Sequence, residues 1–167
     1  MTSEPTPGLP AWQPPPETTG PAPGVRYAEH GARLLSYIVD VLIVVVLIVA
    51  LVIVLGVLGA ILAVAGQGLA AGLSWFGLFV AVFAVSLGYF PYFWVRGGQT
   101  PGMRAFGLKV VMDRDGGPVT VGPAILRLIG YWIDSLVFYL GYAWILIDSR
   151  RRGWHDLIAG TVVVQTR

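Results

Sequence analysis

Two stretches of this chain carry arginine, tyrosine and aspartate at identical spacing within apolar sequence. The first reads Arg33-Leu34-Leu35-Ser36-Tyr37-Ile38-Val39-Asp40, the second Arg127-Leu128-Ile129-Gly130-Tyr131-Trp132-Ile133-Asp134. On a helix, offsets of four and seven put Arg, Tyr and Asp on one face. The result is a polar stripe about 10 Å long at 1.5 Å per residue. A charged side chain at mid-bilayer costs about 2.5–3.5 kcal/mol on insertion scales, so charges beside apolar helices need a reason to be there. Three readings stand open. Antiparallel packing of the two octets would pair Arg33 with Asp134 and Arg127 with Asp40, with the Tyr37 and Tyr131 hydroxyls filling in. Parallel entry would bring the two carboxylates to one depth, where they could share a proton or bind a cation. Alternatively, all six side chains anchor their helices at the headgroup boundary.

A second charged cluster, Asp148-Ser149-Arg150-Arg151-Arg152-Gly153-Trp154-His155-Asp156, follows the second octet. Arginines beside a membrane segment attract anionic headgroups at about 1 kcal/mol each. Arg150, Arg151 and Arg152 are therefore expected at the lipid headgroups, where they also serve as a topology anchor. His155 adjoins Asp156, and the one other histidine is His30. Without cysteine or helical His spacing, no metal site or metal cofactor is expected. No nucleophile elbow of the GxSxG kind accompanies the Ser, His and Asp residues, so the expectation is a protein that is not an enzyme.

The elements that hold these residues are apolar. Of 167 residues 56% are hydrophobic and 12% charged, about half the charge of an ordinary soluble domain. No charged side chain occurs from Val41 to Val95. A spanning helix takes about 20 apolar residues, so the stretch accommodates two: residues 34–65 and residues 73–95, with a glycine-rich turn at Gly66, Gly68 and Gly72. Trp75 and Phe76 at one end of the second span, and Tyr89 to Trp94 at the other, fit the aromatic belts of a full crossing. The net charge of +2 reports topology rather than nucleic-acid binding. No Lys or Arg separates the two spans, whereas Arg26 and Arg33 precede them and Arg96, Arg104, Lys109 and Arg114 follow. Cytoplasmic loops collect such residues, which puts the N-terminus and residues 96–121 in the cytoplasm.

A third membrane segment, residues 124–147, contains Arg127 and Asp134, so its uncharged run from Ser135 to Ile147 is short. Runs of about 10–14 residues favour re-entrant or interfacial segments over full spans; both a re-entrant segment and a third full span remain open. Leu108–Met112, the turn Asp113–Gly117 and Pro118–Val121 read as a small cytoplasmic β-hairpin. Thr161–Gln165 reads as another strand, able to join the hairpin if both lie on one side of the membrane. Residues 1–25 hold most of the twelve prolines and read as a disordered tail of polyproline character, its Pro7–Pro10 PxxP match included. The remainder, residues 26–167, forms one membrane domain ending in a tail at 148–167. The expected fold is an all-α membrane protein: two transmembrane helices, a third membrane segment, and the hairpin.

Arg33 with Asp40, then Gly98-Gln99-Thr100-Pro101-Gly102-Met103-Arg104 leading to Gly107-Leu108-Lys109-Val110-Val111, then Arg127, then Arg152-Gly153-Trp154-His155-Asp156-Leu157-Ile158-Ala159-Gly160-Thr161-Val162-Val163-Val164 together resemble the RDD family of bacterial integral membrane proteins. The family is named for one arginine and two aspartates. The resemblance assigns Arg33 and Asp40 to the first two letters and Asp156 to the third, with Asp134 the other candidate. Two positions depart from the family pattern. Gly102-Met103 replaces its usual Gly-Lys, and Gly153-Trp154 its usual Gln-Thr before the His-Asp pair. The resemblance implies a cell-membrane location and a suggested transport role. The residues themselves lead to the expectation of a non-enzymatic, transport-associated protein without cofactor, in which Arg33, Asp40, Asp134 and Asp156, with Tyr37, Arg127 and Tyr131, form a polar network at the cytoplasmic half. Two or three membrane elements can hardly enclose a path, so a transporter of this kind would be a homo-oligomer. The alternative is an accessory or docking subunit in a hetero-complex with other membrane proteins. The lipid bilayer is the common partner, and nucleic acid is not expected.

Overall fold

The computed structural model describes residues 20–21 and 24–166. The expected disordered tail, including Pro7–Pro10, lies almost wholly outside the described residues.

Two long helices dominate. Helix α1 (His30–Leu51), a π-helical turn (Val52–Gly56) and α2 (Val57–Val64) run on as one rod, about 52 Å long at the helical rise. Helix α3 (Gly68–Gly97) returns beside it. Both rods are long and apolar enough to cross a membrane. Their side chains, Val46, Ile53, Leu69 and Phe79 among them, stand exposed along the pair, a surface that costs free energy in water and nothing comparable in hydrocarbon. The reversal is tighter than the sequence reading predicts. Gly66 takes a left-handed φ of 75°, open to a residue without Cβ, and Gly68 to Gly72 already belong to the first turns of α3.

The rods pack through small residues. Trp75 lies on the flat made by Gly56 and Gly59; a Cβ at Gly59 would come 3.0 Å from the indole nitrogen. Ser74 Oγ donates to the Leu55 carbonyl at 2.8 Å, in the π turn where the regular hydrogen-bond ladder changes step. Such a partner matters where no water is at hand.

At the other end of the rods the chain folds more densely. Gly98 ends α3 in a left-handed conformation, and α4 (Pro101–Ala105) begins at once, with Thr100 accepting from the Met103 amide. Thr at the cap and Pro at the first position are both favoured there. Strand β2 (Leu108–Met112) follows. The expected hairpin partner does not form. Residues 113–117 do turn, with Gly116 N donating to Met112 O, but Pro118 lacks an amide donor for a ladder and the chain enters α5 (Val121–Leu136). β2 pairs instead with the C-terminal strand β3 (Thr161–Gln165), antiparallel, Val110 facing Val163. The two-residue β1 (Arg26–Tyr27) takes the other side of β3, completing the order β1-β3-β2.

The third apolar element is broken. After α5 the chain bends by 108° into α6 (Leu140–Ala143) and a 3₁₀ turn (Trp144–Leu146). Phe138 and Tyr139 at the bend take positive φ of 53° and 60°, rare for residues with a Cβ. A last short helix, α7 (Trp154–Ala159), leads into β3. β2 precedes this third element and β3 follows it, so their pairing returns the chain to the end of the rods from which it set out. Beneath the sheet, Trp94, Met103, Leu108, Val110, Ala124 and Val163 form the main core.

Candidate functional site: a buried arginine–aspartate cluster

The first turn of α7 delivers Asp156 to the middle of this dense end. Its carboxylate accepts from the Gly153 amide at 3.0 Å, as acidic residues at a helix start do. Helix α5 supplies Arg127, whose Nη1 donates to Asp156 Oδ1 and, at 2.6 Å, to Thr161 Oγ1. Helix α1 supplies Arg33, whose Nη2 donates to Asp156 Oδ2 at 2.5 Å while Nη1 donates to the Arg151 carbonyl. Arg127 and Asp156 are wholly buried and Arg33 nearly so. Burial alone would raise the Asp156 carboxyl. Arg127 first and Arg33 next, with His155, outweigh it and hold the group well below the usual carboxylate range.

Arg127 is further held by aromatic faces: its guanidinium carbon lies 4.9 Å from the centroid of Trp94 and 5.8 Å from that of Tyr131. Such cation–π contacts gain strength when desolvated. Tyr131 also stacks on His155 at 4.3 Å and on Tyr37 at 5.9 Å. The two tyrosines of the octets thus bring ring faces to the cluster.

Asp134 and Asp40 lie on either side. Asp134 Oδ2 meets His155 Nδ1 at 2.6 Å, and His155 Nε2 lies 3.3 Å from both Asp156 Oδ2 and Arg33 Nη2. The close approach depends on glycine. A Cβ at Gly130 would sit 2.5 Å from His155 Cα, and one at Gly141 would fall on the Asp134 carboxylate. Asp40 forms a separate centre with neutral donors: Tyr89 OH at 2.9 Å, Thr100 Oγ1 at 2.5 Å and the Gly102 amide at 2.8 Å. It fastens the start of α4 to α1, and a Cβ at Gly102 would collide with Ser36 O and with Asp40 itself.

The seven residues expected in a polar network do gather at one end of the rods, but with different partners. Arg33 does not meet Asp134, nor Arg127 Asp40. Both arginines converge on Asp156, because α7 starts between α1 and α5 and presents its first-turn carboxylate to both. The arginine triplet is also more engaged than expected. Arg150 Nη1 reaches both Asp113 oxygens at 3.0 Å, and Arg152 bonds Asp148 and Asp113. The Arg152 hydrogen bond is the main reason that the Asp148 carboxyl is lowered. Arg151 contributes its carbonyl to Arg33.

Spacing singles out neither Tyr89, Trp94, Gly102 and Thr161 nor the bridging position of His155 between Asp134 and Asp156. Thr100-Pro101 did carry a signal, since that pair marks a helix start, and a helix start attracts a carboxylate. Among the described residues no group of His, Asp and Glu could hold a metal ion.

Comparison with known proteins completes the description. Uncharacterized protein YxaI of Bacillus subtilis (strain 168) is 38% identical over 65 residues, covering 39% of this chain and 42% of its own length. The proline-rich antigen homolog of Mycobacterium tuberculosis (strain ATCC 25618 / H37Rv) is 30% identical over 67 residues, 40% of this chain and 28% of its own. Uncharacterized protein RP437 of Rickettsia prowazekii (strain Madrid E) is 31% identical over 90 residues, 53% and 49% respectively. The chain thus spans less than half the length of these curated relatives. No solved structure matches it significantly. The RDD family profile matches residues 27–160, a range that takes in all three carboxylates and both buried arginines. This chain belongs to the RDD family of membrane proteins.

Proposed function

We propose that this chain is a non-enzymatic module of the cell membrane, and that its arginine–aspartate cluster is a clamp for an accessory or docking subunit of a larger membrane complex. The observation carrying this reading is that Asp156 is bound by arginines from two different helices with no exposed surface. An ionic group so enclosed favours a fixed shape over a moving cargo. The clamp ties α1, α5, α7 and β3 into one body and leaves the outer apolar rods to lipid or to a partner subunit. Asp156, bonded to Arg33, is the better candidate for the family's third letter.

The orientation we propose is N-terminus in the cytoplasm of a multi-pass protein, in the inner membrane where there are two. Every Lys and Arg of the described residues lies at positions 26–33 or 96–152, the end that carries the sheet, and the cytoplasmic side collects such residues. The pairing of β2 with β3 favours a third element that enters and leaves on that side. Arg150, Arg151 and Arg152 would then lie near the headgroups. Single cysteines at Ser149 and Gln165, in a chain that has none of its own, test this: an impermeant reagent should label neither from outside intact cells.

A transport-associated homo-oligomer is the second reading. Asp40 favours it, being a buried carboxylate within a spanning helix whose bonds, among the described residues, come from neutral donors alone. Purified protein in liposomes decides between the two. Cation or proton flux that Asp40→Asn abolishes supports transport. No flux in either form, together with co-purification of a fixed heterologous partner, supports the docking subunit.

A further inference from the structure

The Asp40 centre and the Asp156 centre share no direct bond, yet a small cavity of about 20 Å³ lies between them. Its polar walls are Arg33, Ser36, Tyr37, Asp40, Arg127, Tyr131 and Tyr142. Arg127 is wholly buried, but its Nε and Nη2 have no hydrogen-bond partner among the described residues, and the same holds for the buried Tyr142 hydroxyl. The Arg127 guanidinium carbon lies over the rings of Trp94 and Tyr131. Such contacts are non-directional, so its five N–H donors still call for hydrogen-bond acceptors. On the other wall, Asp40 Oδ1 accepts two hydrogen bonds and Oδ2 one, of the four or so that a carboxylate can take. The cavity therefore has unmet donors on one side and a spare acceptor on the other.

We propose that one ordered water molecule occupies this cavity, accepting from Arg127 or Tyr142 and donating to Asp40. The volume suits it: a buried water needs roughly 10–15 Å³ of this measure and two to four polar partners. Bound there, it joins the two carboxylate centres into one hydrogen-bonded system. Tyr37, Phe90, Tyr131 and Tyr142 also wall a wider neighbouring cleft of about 170 Å³ that carries the Ser86 and Ser135 hydroxyls. The inference does not depend on either functional reading above.

Radiolytic footprinting of the full chain in nanodiscs tests it, because hydroxyl radicals formed from a bound water oxidise the side chain beside it. Met103 lines the cavity, whereas Trp94 is wholly buried and lines neither cavity nor cleft. Met103 should be oxidised several-fold faster than Trp94; an equal or slower rate would overturn the proposal. After rapid mixing into ¹⁸O-water, label should reach oxidised Met103 later than it reaches the partly exposed Met112. Simultaneous labelling would mean bulk solvent in an open crevice rather than a bound water, and would overturn it equally.

Discussion

Arg127 and Asp156 form an ion pair with neither side chain reaching solvent. Removing one partner of such a pair strands the other charge, which costs about 3–5 kcal/mol. Asp156→Ala strands two guanidiniums and should destabilise the protein by at least that range. Arg127→Met, which replaces the charge with an apolar stem but leaves Arg33 in place, should cost less. Unfolding monitored in detergent ranks the two.

The approach of α7 to α5 rests on Gly130. Gly130→Ala places a methyl group against the His155 backbone and should cost about 1–3 kcal/mol through overpacking. Gly122→Ala, in the same helix with open space around it, should be neutral or slightly stabilising because alanine is the better helix former. Equal effects at the two positions would contradict the packing described here.

Thr100→Val keeps the volume and removes the hydroxyl that donates to Asp40 and caps α4. Hydrogen bonds to charged groups contribute about 1.5–3 kcal/mol, so a loss in that range is expected. Amide exchange should quicken at the Met103 amide, which the same hydroxyl accepts.

The pH dependence follows from the lowered Asp156 carboxyl. Folding favours its ionised form, so its contribution is fully present above the unfolded value near 3.8. It is lost as pH falls through the lower folded value. Acid titration from pH 7 should show no loss from this group until the unfolded value is reached, and a decline below it. Asp156→Asn should flatten that decline. Asp148, lowered for a related reason, adds a contribution of the same sign that the variant retains.

Hydropathy made the two rods legible, since no charge interrupts Val41 to Val95. Their ends were less so, because Gly68 to Gly72 suits a turn by composition, yet one left-handed residue at Gly66 completes the reversal. The valine runs at 108–112 and 161–165 marked both strands. Which pairs with which depends on where α5 and α7 carry the chain, and the adjacent segment with Pro118 offered a false partner. Among the charges, equal spacing in the two octets grouped Arg33, Asp40, Arg127 and Asp134, and one of its three readings paired them crosswise; neither crossed pair forms, because both arginines meet Asp156. Asp156 lies outside both octets, and its place between two arginines follows from tertiary packing alone. Tyr89 and Trp94 read as interfacial aromatics, and nothing in their spacing separates that role from a bond to Asp40 or a face for Arg127.

The clamp itself is tested most directly by a double-mutant cycle between Arg33 and Asp156, residues from opposite ends of the chain whose side chains meet at 2.5 Å. Unfolding free energies of Arg33→Gln, Asp156→Asn and the double variant, in one detergent at neutral pH, give the coupling. The clamp predicts about 0.5–3 kcal/mol, the range for residues that share a network. Additivity to within about 0.3–0.5 kcal/mol, the behaviour of distant and independent sites, would contradict it.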